Sequence, residues 1–301
     1  MSEKGNKKTI LNLIMVASIV ILVLCLSQIV YSMVEYKKAE DKRGELDSII
    51  DAIGNTSTTE TAGSSEPTVT EVSQTEPPEV TSGAESDTTT ATETTEPAPV
   101  PREQYRAIWE QISAMKEQYP DLFGWIYIKF DEKHEINLPV MQGEDNSFYI
   151  LHAYDGTPSK SGSICADYRN FGRKIDFNQN VILYGHHMND GSMFAQIATK
   201  YKVRDNFDNV PIVFYSMEGV YTFNVFSIYN AKADDDFNTV AFSKNGLKEF
   251  CLEKQRKSFF TKKLTFDEGN TIITLVTCTN FGSDGRVIVH GVLDGYDSFF
   301  D

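Results

Sequence analysis

The sequence predicts a mainly β domain, a barrel or sandwich with a helix at its start, carried on an acidic stalk behind an apolar segment. Three observations lead there. From residue 102 onward, short runs rich in Val, Ile, Tyr and Phe alternate with Gly, Asn and Asp turn signals, the pattern of closed or doubled antiparallel sheets. Charge is spread unevenly: of the formal −15, residues 1–43 contribute +3, residues 44–101 contribute −12 and residues 102–301 contribute −6. Thr9 to Val34 is a run of 26 residues without a charge. The acidic balance argues against nucleic acid as a partner, because phosphate binding needs a basic face. About 200 residues remain for a packed core, ample for one domain.

Taken in order, residues 1–8 are a short tail bearing Lys4, Lys7 and Lys8, and residues 9–34 are a transmembrane anchor. At about 1.5 Å per residue that run spans roughly 39 Å as a helix, more than a bilayer core of about 30 Å. A cleavable signal would carry a shorter apolar core and a small-x-small cleavage site; this chain runs on through Ser32-Met33-Val34-Glu35-Tyr36-Lys37. Lysines and arginines flank both sides, so orientation rests on the character of the chain beyond the anchor. Residues 35–101 hold a juxtamembrane stretch, with a short helix expected over Glu35 to Ile53, and then a Thr, Ser, Glu and Pro stalk. The stalk has no aromatic residue and too little aliphatic surface to offset its ordering entropy. It suits the outside of a cell, which places the N-terminus in the cytoplasm and the globular domain, 102–301, outside.

Within that domain, Tyr105, Ile108, Trp109, Ile112 and Met115 follow helical spacing, predicting a helix over Arg102 to Gln118 that stops at Tyr119-Pro120-Asp121. Strands are expected at 125–128, 136–141, 181–184, 212–215, 221–229, 272–278 and 287–293. Two helical insertions are expected, Ser192 to Tyr201 and Ser243 to Ser258. In the second, Leu247, Phe250 and Cys251 share a side.

Cysteine usage narrows the chemistry. Cys25 lies in the anchor, leaving Cys165, Cys251 and Cys278 outside, an odd number that guarantees a free thiol. There is no C-x-x-C pair and no Cys/His set with zinc spacing, so no metal and no cofactor is expected. For Cys165 and Cys251 the plain reading is a small buried hydrophobe, with a disulfide between them as an alternative. Cys278 differs in its surroundings: it closes the apolar run Thr271–Cys278, and the polar loop Thr279–Gly285 leads to Arg286, which opens the next apolar strand. A short loop of that kind returns Arg286 to the rim where Cys278 sits. A nucleophilic cysteine also needs a base or cationic partner. Of the five histidines, His186 ends another apolar run, Val181-Ile182-Leu183-Tyr184-Gly185-His186. If that strand continues, only one of His186 and His187 faces Cys278. No third residue orienting the histidine is evident; Asn280 and Asp284 are loop candidates, as well explained as turn formers.

Several of these segments resemble sortases, the membrane-anchored cysteine transpeptidases of Gram-positive surfaces. Thr274-Leu275-Val276-Thr277-Cys278 is similar to their TLxTC signature. Tyr184-Gly185-His186-His187-Met188, with Gly191-Ser192-Met193-Phe194, resembles the segment around their catalytic histidine. Arg286-Val287-Ile288-Val289-His290-Gly291 resembles their arginine strand. Tyr119–Ile126, Leu138–Gln142, Asp145–Tyr149 and the insertion near 243–258 resemble the class B branch. The likeness covers roughly residues 103–295 and implies an eight-stranded β-barrel with an N-terminal helix. It further implies Cys278 as nucleophile, His186 as acid/base and Arg286 as stabiliser of the oxyanion. The implied substrates are sorting-signal peptides of secreted surface proteins, cut after Thr, and the implied acceptor is an amine of peptidoglycan or a pilin. Two other classes stay open on the residues alone: a cysteine endopeptidase that uses water on the same site, and a non-catalytic surface-binding domain on a stalk.

Overall fold

Eight strands close into a barrel in the order β1-β2-β3-β4-β7-β8-β6-β5, the strand count that the resemblance implies. The computed structural model describes residues 100–172, 175, 178–278 and 284–300. The expected anchor, the juxtamembrane helix, the stalk up to residue 99 and Asn280 lie outside the described residues. The strands are β1 (Leu122–Asp131), β2 (His134–Met141), β3 (Ile164–Ala166), β4 (Asn180–Tyr184), β5 (Ile212–Tyr215), β6 (Gly219–Lys232), β7 (Ile272–Cys278) and β8 (Gly285–Ser298). Seven of the eight lie where the β-type runs predict. The unforeseen one, β3, has three residues, too few to show an alternation.

Alternation along the strands separates an inner from an outer set. Ile126, Ile128, Val181, Leu183, Phe214, Phe223, Ile273, Leu275, Val287 and Val289 pack together inside the barrel. The outer faces are covered in two places. A single-turn 3-10 helix (Glu103–Tyr105) leads into α1 (Arg106–Gln118), whose Ile108, Ile112 and Met115 pack on Trp125, Tyr127, Met141 and Phe299. On another side, α4 (Gly246–Lys257) lays Leu247, Phe250 and Cys251 on Phe226, Ile272 and Val292. The helical insertion expected over Ser192 to Tyr201 is α2 (Ala195–Lys200), and a further short helix, α3 (Arg204–Asn209), follows it without having been expected. They bury Ile197, Ala198 and Phe207 against the barrel interior.

Beneath α4 lies a closed polar chain. The Asn180 amide donates to the Thr239 carbonyl, and the Thr274 hydroxyl donates to Asn180 Oδ1 at 2.7 Å. With its proton committed, Thr274 accepts from His290 Nδ1 at 2.8 Å, which leaves Nε2 to accept from the Tyr229 hydroxyl at 3.2 Å. His290 is fully buried, and burial, aided by the Lys254 charge, pushes it down to about 3. It is a neutral structural histidine.

Candidate active site

The register of β7 and β8 pairs Cys278 with Arg286, Val276 with Ile288 and Thr274 with His290. Directly opposed residues send their side chains to the same face of a sheet. Cys278 and Arg286 therefore leave the outer face together, at the end where the hairpin turns. The next pair inward on that face, Val276 and Ile288, belongs to an apolar cluster with Ile182, Tyr229, Ala231 and Phe237. Cys278 and Arg286 are both half-buried, and Arg286 Nη1 donates to the Gly285 carbonyl at 3.0 Å.

On the other side of β7, β4 runs parallel to it with Tyr184 opposite Val276. The Gly185 N–H donates to the Val276 carbonyl at 3.1 Å, and His186 follows just past the last strand pair, Tyr184 with Val276. Gly185 itself is squeezed: a Cβ there would stand 2.5 Å from Ile164 Cδ1 and 2.8 Å from Phe194 Cδ2. Only a hydrogen fits between those side chains, and the chain turns out of the sheet immediately afterwards.

That exit changes how the two histidines are arranged. β4 ends at Tyr184, where the strand expected at 181–184 ends; it does not continue through the histidines, so strict alternation does not govern the pair. His186 Nε2 donates to the Ile150 carbonyl at 2.8 Å. His187 Nδ1 donates to the Cys278 carbonyl at 3.0 Å. A neutral imidazole that donates from one nitrogen keeps the other as its basic atom, so in His186 that atom is Nδ1. Among the described residues, the hydrogen bond of the His186 ring runs to a backbone carbonyl rather than to the thiol.

The remaining histidines and cysteines are occupied elsewhere. His134 pairs with Asp131 at 2.6 Å, His152 stacks on Phe148 and donates to its carbonyl, and His290 is buried under α4. Cys165 and Cys251 are free and buried rather than joined, and burial pushes both thiols up to about 12. Neither forms a thiolate near neutral pH. Among the described residues, no group of three His, Cys, Asp or Glu could hold a metal ion.

Known proteins resemble this chain in sequence and in fold. A family profile described as "Sortase domain" matches residues 132–294. The chain belongs to the sortase family. Sortase B of Listeria monocytogenes is 32% identical over 189 residues, which cover 61% of this chain and 74% of that protein. Among solved structures, Clostridium perfringens sortase B aligns with a TM-score of 0.55 and 30% identity, over 61% of this chain and 99% of the other. A Staphylococcus aureus sortase B–substrate complex aligns with a TM-score of 0.56 and 28% identity, over 62% and 85%. This sortase is of class B, an enzyme and a cysteine transpeptidase.

One cluster beside the site gave no sequence signal. Asp167, with its side chain shut off from solvent, forms a two-bond ion pair with Arg169 Nε and Nη2, each at 2.7 Å. Its Oδ2 also accepts from the Tyr184 hydroxyl at 2.9 Å and from Asn146 Nδ2 at 2.9 Å. These groups come from three separate stretches of chain, and only folding brings them together.

Proposed function

We propose that this class B sortase cleaves a C-terminal sorting signal after Thr, holds the acyl fragment on Cys278 as a thioester, and transfers it to an amine of peptidoglycan or a pilin. The observation that carries the reading is the cross-strand pairing of Cys278 with Arg286, next to β4, whose chain leads through Gly185 to His186. The Cys278 thiolate attacks the threonine carbonyl, and the carbonyl electrons move onto oxygen. The Arg286 guanidinium is a flat fork that is always charged, suited to stabilising that oxyanion. As the C–N bond breaks, protonated His186 gives its proton to the leaving amine. In the second half, the incoming amine attacks the thioester and gives a proton to neutral His186, and the C–S bond breaks to return the Cys278 thiolate and protonated His186. Two half-reactions sharing one covalent species give ping-pong kinetics.

The reading extends to the rest of the chain. Residues 9–34 serve as a single-pass anchor and 35–101 as juxtamembrane segment and stalk, with residues 1–8 in the cytoplasm and the catalytic domain, 102–301, outside. A membrane-held enzyme and a substrate halted at the same membrane meet at high effective concentration. No helix among the described residues is long and apolar enough to cross a membrane, and the anchor lies outside them. The S. aureus relative solved as a substrate complex supports peptide substrates for this enzyme too.

The test is mass spectrometry of the enzyme mixed with a library of candidate sorting peptides, with and without an amine acceptor. The expected result is an acyl adduct on Cys278 that the amine discharges as ligated product. Discharge to water alone, at the same rate whether or not amine is present, would make the enzyme a peptidase instead.

A further inference from the structure

The histidine of a thiol–imidazole site needs something to fix its ring and tautomer. A third side chain often does this; here His186 meets a backbone carbonyl. The Ile150 carbonyl that accepts from His186 Nε2 belongs to the long connection between β2 and β3. Two features hold that connection. Gly162, with φ of 58°, lies so close beneath it that a Cβ would stand 2.2 Å from the Ile150 oxygen. Next to it, the Ser163 N–H donates to the Tyr149 carbonyl at 2.8 Å. The second hold is the buried Asp167 carboxylate. Through Asn146 it grips the connection four residues before Ile150, and through Tyr184 it grips β4 two residues before His186. Asn146 is itself braced, its Oδ1 accepting from the Tyr168 N–H at 2.9 Å, while the Gln142 amide donates to the Asp167 carbonyl at 2.8 Å. One carboxylate thus ties down both the strand that delivers His186 and the loop that carries its acceptor. Arg169 neutralises that charge from the solvent side, where it also donates to the Asn238 carbonyl.

We propose that the Ile150 carbonyl is the group that orients His186, and that Asp167 and Gly162 are the positioning residues that hold this carbonyl and the histidine in register. The inference rests on His186 being the acid/base of the proposed reaction. It predicts that the Nε2–H tautomer of neutral His186 is dictated by the fold before any substrate arrives.

The test uses Asn146→Ala, which cuts the carboxylate from the loop, and Gly162→Ala, which pushes on the carbonyl, with Tyr184→Phe as the mildest cut on the strand side. Each soluble catalytic domain is assayed for peptide cleavage, for its melting temperature, and by nitrogen-15 NMR of the histidine rings. In the parent, His186 should give the signature of a ring protonated at Nε2. In Asn146→Ala and Gly162→Ala, kcat should fall about tenfold or more with KM within about twofold, as expected when a catalytic group is misplaced while substrate binding stays intact. The His186 ring should then show mixed tautomers. A folded Asn146→Ala variant that keeps both parental kcat and the parental tautomer would overturn the proposal, as would a parent protonated at Nδ1. If Gly162→Ala does not fold, Asn146→Ala and Tyr184→Phe decide the matter alone. His186→Ala separates this inference from the site reading. An active His186→Ala enzyme removes the acid/base assignment, whereas an inactive one beside unperturbed positioning variants removes only the positioning role.

Discussion

Cys278 and Arg286 occupy opposed positions on neighbouring strands, so neither reaches the site by chance of loop conformation. Replacing Cys278 with Ala should abolish cleavage and ligation, while Cys165→Ala and Cys251→Ala, at buried thiols held near 12, should keep most of the activity. Peptide cleavage assays on the three variants check this, and turnover by Cys278→Ala would remove the nucleophile assignment. Lysine at position 286 keeps the charge but loses the fork. Arg286→Lys should fold normally and lose about 10²-fold or more in kcat/KM, the order seen when an oxyanion donor is deleted; a loss of only a few-fold would reduce Arg286 to a source of charge. The two histidines should separate as well. His187 holds the Cys278 carbonyl, so His187→Ala should slow the enzyme modestly, and His187→Asn, which restores a donor, should recover much of the loss. His186→Ala should cost about 10²-fold or more, the lower end of what acid–base catalysis contributes, and far more than His187→Ala. In the sequence Cys278, His186 and Arg286 stand out because each sits at an end of an apolar run, and the pairing of Cys278 with Arg286 across β7 and β8 follows from that placement. The partners of the histidines were not legible. They are backbone carbonyls of Ile150 and Cys278, and a carbonyl leaves no mark in a sequence.

At the scale of elements, periodicity found what was long and missed what was short. Ile272–Cys278 and Val287–Leu293 read as strands because their apolar runs are unbroken, and α1 read as a helix because Ile108, Ile112 and Met115 recur at its spacing. β8 continues to Ser298 through Asp294 and Gly295, residues that signal a turn, because the long partner β6 pairs with it as far as Gly219. Tertiary pairing there outweighs local preference. β3 survives with three residues because Val140 and Met141 on one side and Leu183 and Tyr184 on the other supply its ladder. The joint between β4 and His186 depends on Gly185, whose missing Cβ makes room for Ile164 and Phe194. Gly185→Ala should destabilise the domain by about 1–3 kcal/mol, the usual cost of overpacking, and lower kcat along with it. Denaturant midpoints and steady-state kinetics on the same preparation measure both; unchanged values would mean that the neighbouring side chains yield without cost.

For the molecule as a whole, the buried His290 sets a pH dependence. In the unfolded chain an ordinary histidine takes up a proton near 6.5, whereas in the folded domain burial and then Lys254 hold His290 down to about 3. Between those values the unfolded state binds more protons, so the contribution of His290 to stability is complete above about 6.5 and is lost as pH falls toward 3. The loss approaches about 1.4 kcal/mol for each pH unit inside the window. Urea midpoints at pH 7 and pH 5 should show the parent weakening. His290→Gln, which keeps a donor for Thr274 but does not titrate, should weaken less over the same interval. Equal slopes would mean that His290 is not the group responsible.

The barrel order carries a consequence for how the enzyme comes to life. β1 with β2, β5 with β6 and β7 with β8 are hairpins or near-hairpins, which zip from local contacts. Two seams are different: β1 meets β5, Trp125 opposite Tyr215, and β4 meets β7, Asn180 opposite Ile272 across everything from α2 to α4. Contacts so distant in sequence form late and slowly, since the loop entropy must be met before they stabilise anything. The β4–β7 seam also brings β4, which leads into His186, against the strand that ends in Cys278. During refolding, the reactivity of the Cys278 thiol toward a small alkylating reagent should therefore change in the slowest phase, together with the gain of activity and after most strand signal has appeared. An enzyme built this way is chemically silent while its chain is incomplete, and its first competent moment coincides with the closing of the barrel.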